Sequence, residues 1–302
     1  VRNDTDRLLP EQPVTSLQDH LAAGGGAGLE RALSLEPDEV TSEVDAAGLR
    51  GRGGAGFPTA TKWRGVRETA EYAGGRLSIV ANAAEGEPGT YKDRMLIEQQ
   101  PYAFLEGLCI ALYASGADDA HIGIKASFDR PLQRLQIALG EIVDAGWFGA
   151  DRIQIVPGPD LYLFGEETGM LEVIEGKLPM PRLVRPFESG LNATTTVPNP
   201  TIVNNVETLS HVARILAYGA DWFREAGTES SPGTMVFTVV GDVPNPGVYE
   251  LSLGTPLRIL LEDIAGATDI KAVYSGVSNA VITPDLLDTP MSFDAMADAG
   301  VG

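Results

Sequence analysis

Short apolar runs and longer helical repeats alternate through the middle of the chain. Residues 77–81, LSIVA, form an apolar run bounded by Gly75 and polar positions, which predicts a buried strand. Residues 101–115 then place Phe104, Leu105, Leu108, Ala111 and Leu112 at helical spacing. The same order repeats: residues 121–126 alternate as a strand, and 131–143 carry Leu132, Leu135, Leu139 and Ile142 on one helical face. Residues 152–156, RIQIV, read as a third strand. Strands separated by helices of this length predict an α/β fold, a parallel sheet covered by helices. In such sheets ligands sit beyond the carboxyl ends of strands. Two acidic loops, residues 82–93 and 158–168, occupy that position.

The flanks differ in texture. Residues 14–35 predict a helical arm broken at Gly24, Gly25 and Gly26, while 178–200 are Pro-rich and irregular. Residues 204–216, NNVETLSHVARIL, predict a helix with Asn205 and Glu207 near its start. Beyond Gly227 come a strand at 234–240, a turn at 244–247, a strand at 247–251 and a helix at 256–264. Strand, turn, strand, helix and a returning strand within about fifty residues suggest a small ubiquitin-like β-grasp module with its own core. The division expected is a helical arm at 1–45, an α/β domain at 46–230, a β-grasp domain at 231–285 and the start of a linker at 286–302.

The chain has 302 residues and a net charge of −20. That balance argues against nucleic acid as the main partner, because phosphate backbones require a broad basic surface. The most apolar run, 104–117, contains Glu106 and is shorter than the roughly 20 residues a bilayer requires. No signal peptide is read at VRNDTDRLLPEQP, and a cytoplasmic protein is the expectation. Cys109 is the one cysteine, within an apolar helix, so the chain itself builds no disulfide, iron–sulfur or Cys-based zinc site. His20, His121 and His211 form no spacing motif and are read as structural; no metal site is expected.

Against that acidity, residues 48–67, GLRGRGGAGFPTATKWRGVR, carry Arg50, Arg52, Lys62, Arg64 and Arg67 without an Asp or Glu. Gly51, Gly53, Gly54 and Gly56 lie among those charges, where bare backbone N–H groups suit a phosphate. Gly51, Gly53 and Gly56 also match G-x-G-x-x-G, but residues 41–49 are too polar for the strand that motif requires. A Gly-rich surface loop explains the glycines alone. The cations and Phe57-Pro58 favour a nucleotide, with Phe57 available to stack on a base and Lys62 to reach a phosphate.

Two carboxylate pairs, Glu85 with Glu87 and Glu166 with Glu167, end the predicted strands. Near phosphates they are costly unless they accept ribose hydroxyls, a role that also repels a 2′-phosphate. Solvated loop charge is the plainer alternative. Asn82, Asn204, Asn205 and Thr208 add neutral hydrogen-bonding groups, and amides at a helix start suit a phosphate.

GLRGRGGAGFPT, then K-W, NAAEGEPGTYKDR, YLFGEET, EGK, PRL and TIVNNVETL resemble the family of NADH-oxidising, FMN-binding subunits of respiratory complex I. The family also includes diaphorase subunits of NAD-linked hydrogenases and formate dehydrogenases. The resemblance runs from about Gly48 through PNPGVYEL and LDTPMSFDAMADAG. It implies a Rossmann-like FMN/NADH-binding domain followed by a soluble-ligand-binding β-grasp (SLBB) domain. On matching positions it implies that residues 51–57, including Gly51, Arg52, Gly53, Gly54 and Phe57, line cofactor phosphates with Lys62. Asn82, Gly165, Glu166, Asn204 and Asn205, with Thr208 beside them, would hold FMN. Glu87 would contact the nicotinamide, Phe187 the adenine, Glu167 would favour NADH over NADPH, and Glu85 would lie by the hydride path.

The resemblance also implies an iron–sulfur partner, a small [2Fe–2S] protein or a larger oxidoreductase complex, peripheral to a membrane rather than inserted in it. Four departures matter. The family's [4Fe–4S]-binding helical domain and its cysteines are not in this chain, which stops before it. Ala84 stands where Asp is usual, Val184 where Lys is common, and Gly65 where a stacking aromatic is common. Three readings follow: an NADH dehydrogenase module, an FMN-binding electron carrier that does not use NADH, and a non-catalytic scaffold of the same fold.

Overall fold

In the computed structural model the described residues are 7–74, 76–194 and 196–301. The first residues of the expected arm, the bounding Gly75 and the final Gly302 lie outside them. The arm folds as α1 (Leu17–Ala22), α2 (Ala27–Leu33) and α3 (Pro37–Ala47), followed by α4 (Thr59–Ala73). Residues 41–49, too polar for a strand, belong largely to α3, which carries a capping box between Glu36 and Glu39.

The central sheet runs through β1 (Ser78–Ala83), α5 (Lys92–Gln99), α6 (Pro101–Ser115), β2 (Asp119–Lys125), α7 (Asp129–Asp144) and β3 (Ile153–Gly158). Then come α8 (Glu167–Ile174), β4 (Thr201–Asn205) and α9 (Val206–Tyr218). All four strands are parallel, in the order β3-β2-β1-β4. Residues 201–205 are a correction: NNVET reads as the start of a helix, but TIVNN pairs with β1 and the helix begins only at Val206. Its first two asparagines are strand residues, with Asn205 capping the helix, because the β-branched TIV run completes the buried sheet.

The helix α6 is buried on nearly every side, as its uniform apolarity requires. A Cβ on Gly107 would lie 1.8 Å from the Leu209 carbonyl oxygen, so only glycine lets α6 and α9 approach this closely. The one carboxylate in α6, Glu106, is buried and fully engaged: it accepts the Gly26 and Leu29 N–H groups and meets His20 Nε2, each at 3.0 Å. That anchors the arm, whose Leu29, Val40 and Val44 share the main core.

After α10 (Ala220–Arg224), the second unit begins with the antiparallel pair β5 (Thr234–Val239) and β6 (Gly247–Ser252). The predicted helix at 256–264 is a π-helical turn at Ile259–Ile264, and the returning strand reduces to the bridge between Val273 and Ile282. A separate core joins Val239, Leu251, Leu257, Leu260, Leu261 and Ile282. Leu287, Met291 and Val301 enter the same core, so residues 286–301, expected as linker, pack against the unit and include a last helix, α11 (Phe293–Asp298).

Candidate functional site

The strand order changes direction between β1 and β4: successive crossovers lead from β1 to β2 and β3, then return to β4 on the far side of β1. Open parallel sheets bind ligands in the crevice at such a switch point. Asn82 and Asn205 face each other in register there. Asn82 donates to the Gly165 carbonyl at 2.7 Å and accepts from the Ala84 N–H at 3.2 Å, joining the end of β1 to the YLFG turn. Asn204 Oδ1 accepts from the indole N–H of the buried Trp63 at 2.8 Å, which docks α4 on β4. Asn205 caps α9 by accepting the Glu207 N–H at 2.9 Å.

The Gly-rich loop closes on itself, Gly51 N–H donating to the Phe57 carbonyl at 2.8 Å, and lies against β4. A Cβ on Gly53 would lie 3.2 Å from Asn205 Cβ. Among the described residues no acceptor meets the exposed N–H groups of Gly53, Gly54 and Ala55. A row of bare donors beside a helix start is a cradle for an anion.

The cations of this segment mostly point elsewhere, which corrects the expectation that they gather on a phosphate. Arg64 pairs with Asp45 at 2.7 Å and Arg67 with Asp38 at 2.6 Å, on the outer side of α4. Arg52 is 2% exposed; its guanidinium donates to the Thr234 and Pro232 carbonyls, both at 3.1 Å, and to Arg50 O. Its own N–H is taken by Thr208 Oγ1 at 2.8 Å, which ties the loop to α9, while its guanidinium reaches the second unit; neither side chain is left free to face a ligand. Arg50 donates to the Gly56 carbonyl within the loop and lies 3.5 Å from Asp294, while Lys62 lies against β4, donating to the Val203 carbonyl at 3.0 Å. Burial lowers its pKa and Glu167 opposes that shift.

The four glutamates separate in the same way. Glu85 is buried, accepting the Asp93 N–H at 3.0 Å and the Arg94 guanidinium at 2.9 Å. It holds the start of α5, and both oxygens are engaged. Glu166 caps α8 with one oxygen, Oε2, accepting Thr168 N–H at 3.0 Å and Gly169 N–H at 2.8 Å. Glu167 is partly exposed with Arg185 at 3.7 Å. Glu87 accepts the Tyr162 hydroxyl at 2.9 Å and the Val277 N–H at 2.6 Å. Phe57 and Phe187 are each about half exposed, free to meet a flat ligand.

Sequence reasoning passed over the groups beneath this floor. Lys92 Nζ lies 2.8 Å from Asp93 Oδ1, 2.9 Å from Glu207 Oε2 and 3.2 Å from Asn205 Oδ1, and Asn205 donates to Asp93 at 2.7 Å. Burial opposes the Lys92 charge, but Asp93 and Glu207 outweigh it and hold its pKa above the usual range. Burial lifts Asp93 to about 6 against the pull of Lys92, while for Glu207 burial is outweighed by Lys92 and the pKa falls to about 2. The signal is present in TYKD and NNVET: Glu207 reads only as a residue of the helix start, and sequence reasoning gives Lys92 and Asp93 no role.

The departures also have places. Ala84 is fully buried beside Val80, Phe164 and Met170. A Cβ at Gly65 would meet nothing within 4 Å, and Val184 is 44% exposed.

A parallel sheet with a bare glycine loop at its switch point defines a nucleotide-binding α/β unit, followed here by a small second unit. The family model described as Nuo51 FMN-binding domain matches residues 44–214, and the SLBB domain model matches 236–281. A component of the NADH-quinone oxidoreductase of Rhizobium meliloti (strain 1021) is 40% identical over 300 residues, spanning 94% of this chain and 69% of that protein. The corresponding component of the NADH-quinone oxidoreductase of Aquifex aeolicus (strain VF5) is 37% identical over 303 residues, spanning 96% and 69%. A crystal structure of NAD+-reducing [NiFe]-hydrogenase in the air-oxidized state matches with a TM-score of 0.78 at 36% identity, over 91% of this chain and 46% of that one. The chain belongs to the Nuo51 FMN-binding family, with an SLBB domain following. It spans just under half of the hydrogenase chain it resembles.

Proposed function

We propose that the chain is the FMN-binding, NADH-oxidising module of this family. The observation that carries the reading is the row of unpaired N–H groups at Gly53–Ala55, held beside Asn205 at the sheet's switch point. These donors fit a flavin phosphate, and Asn82, Asn204 and Gly165 form the adjoining polar wall. Lys62 would add a positive charge. FMN, when bound, supplies the group that accepts a hydride from NADH. The protein's own part is to bind and orient. Glu87 would hold the nicotinamide end and Phe187 the adenine, while Glu167 would accept ribose hydroxyls and disfavour a 2′-phosphate.

The relatives' names make them parts of larger oxidoreductases, and this chain would pass electrons to an iron–sulfur partner, a small [2Fe–2S] protein being the expected form. No helix among the described residues is long and apolar enough to cross a membrane. A cytoplasmic place, peripheral to a membrane complex, is part of the same proposal.

A second reading, FMN binding without NADH oxidation, is favoured by the open face at Gly65 and by the uncharged Val184. One anaerobic experiment separates them. The protein is loaded with FMN and NADH is added. Loss of the flavin's visible absorbance supports the dehydrogenase; bound but unbleached flavin supports the carrier. Absence of flavin binding leaves only a scaffold.

A further inference from the structure

The Gly-rich loop is braced from behind by one aromatic ring. Phe293, the first residue of α11, lies directly on Gly56: a Cβ there would fall 2.6 Å from Phe293 Cε1, and Gly56 has φ +60°. The Arg50 guanidinium stacks over the same ring with its Cζ 4.3 Å from the centroid, and that of Arg52 lies 5.5 Å away. Arg50 also donates through Nε to the Gly56 carbonyl at 2.7 Å and lies 3.5 Å from Asp294. Phe293 N–H donates to Ser231 Oγ at 3.2 Å, and the Ser292 hydroxyl caps α11, so the ring's backbone is fixed. Two arginines of the Gly-rich loop therefore serve one phenylalanine of α11, beyond the residues that match the SLBB domain. The interaction is electrostatic attraction to the ring face combined with contact that only glycine permits.

We propose that Phe293 is a positioning residue for the cofactor: it clamps the Gly-rich loop in the shape that presents Gly53–Ala55 N–H groups to the flavin phosphate. The proposal rests on the FMN reading above. It touches only the phosphate end of the ligand, which gives it a signature that general loss of stability lacks. Riboflavin has the same ring system without the phosphate, so its binding does not depend on the loop's donors.

The experiment titrates the flavin-free full chain with FMN and with riboflavin, following quenching of flavin fluorescence, in wild type, Phe293→Leu and Phe293→Tyr. Phe293→Leu is expected to weaken FMN about tenfold through the lost ring contacts and to leave riboflavin unchanged. Phe293→Tyr, which keeps the ring face, is expected to restore the FMN affinity. Unchanged FMN affinity in Phe293→Leu, or equal weakening of both flavins, overturns the clamp. Should Phe293→Leu fail to fold, Arg50→Met at the partly exposed side of the stack is read instead: a lowered preference for FMN over riboflavin supports the proposal, and an unchanged preference overturns it. Wild type that binds neither flavin removes the FMN reading itself, an outcome distinct from failure of the clamp.

Discussion

Glu87, on the loop after β1, accepts the backbone N–H of Val277 from the SLBB unit at 2.6 Å, across 190 residues of sequence. Its other oxygen holds the Tyr162 hydroxyl at 2.9 Å. The carboxylate proposed to meet the nicotinamide is thus oriented by both units. Val277→Pro removes the donor without changing charge. A hydrogen bond to an ionised group of this kind fixes one rotamer, and its loss should raise KM for NADH about tenfold. FMN affinity should stay at the wild-type value. Steady-state kinetics beside a flavin titration check both; an unchanged KM would show that the contact does not orient Glu87.

Glu167 is the partly exposed member of its pair, with Arg185 at 3.7 Å. In the role proposed for it, this carboxylate would repel the extra phosphate of NADPH and accept ribose hydroxyls. Glu167→Gln keeps the shape and removes the charge. The ratio of kcat/KM for NADH over NADPH should fall about tenfold, and the fall should shrink at high salt because the group is solvated. A ratio insensitive to the substitution would place Glu167 among surface charges.

The sheet was legible because its apolar runs have strand length and its helices have helical spacing: the ranges 77–81, 121–126 and 152–156 each fall on a strand except for one end residue, Leu77, Ala126 and Arg152 lying just outside. The strand β4 was not, because five residues, TIVNN, pass into a strongly amphipathic helix without a break. Glycines and asparagines of the site could be placed from motifs, since backbone approach and helix caps leave local signatures. Charged side chains could not. Arg52 turns inward to carbonyls of residues 232 and 234, and Glu85 to the start of α5, contacts that depend on tertiary neighbours the sequence does not order. Phe293 lies 237 positions beyond Gly56, and nothing local connects them.

Gly53 carries a prediction of its own. A Cβ there would approach Asn205 Cβ to 3.2 Å. Gly53→Ala should weaken FMN about tenfold, since a methyl group would stand where the phosphate must come close to backbone. The melting temperature of the flavin-free protein should fall only slightly, because the position is exposed and Asn205 must give by only a few tenths of an ångström. Fluorescence titration and thermal unfolding of the same sample check the pair; wild-type affinity in the variant would exclude phosphate from this part of the loop.

Lys92 is set between two buried carboxylates, 2.8 Å from Asp93 and 2.9 Å from Glu207. Removing one partner of a buried ion cluster leaves the others uncompensated, at a cost of about 3–5 kcal/mol. Lys92→Met should lower unfolding stability by that amount in a urea titration. Combining it with Glu207→Gln, which removes one of the stranded charges, should recover part of the loss. A loss no greater than that of a surface lysine would mean that the cluster is solvated.

His211 makes the folded state sensitive to acid. Burial first, then Arg52, lowers its pKa from 6.5 to about 4, while Glu207, 3.8 Å away, opposes the shift. The imidazole is therefore neutral at pH 7 and forms no ion pair there. Between about pH 6.5 and 4 the unfolded chain binds a proton at this position that the folded chain does not, so the imidazole's contribution to stability falls as pH falls through that window. Asp93, raised to about 6, acts with the opposite sign over part of it, and Glu207 loses its contribution only at lower pH. His211→Asn removes the imidazole's share alone. The variant should therefore lose less stability than wild type between pH 7 and pH 5, read as urea midpoints at each pH. A difference between the two proteins that does not change with pH would assign the acid response to the carboxylates instead.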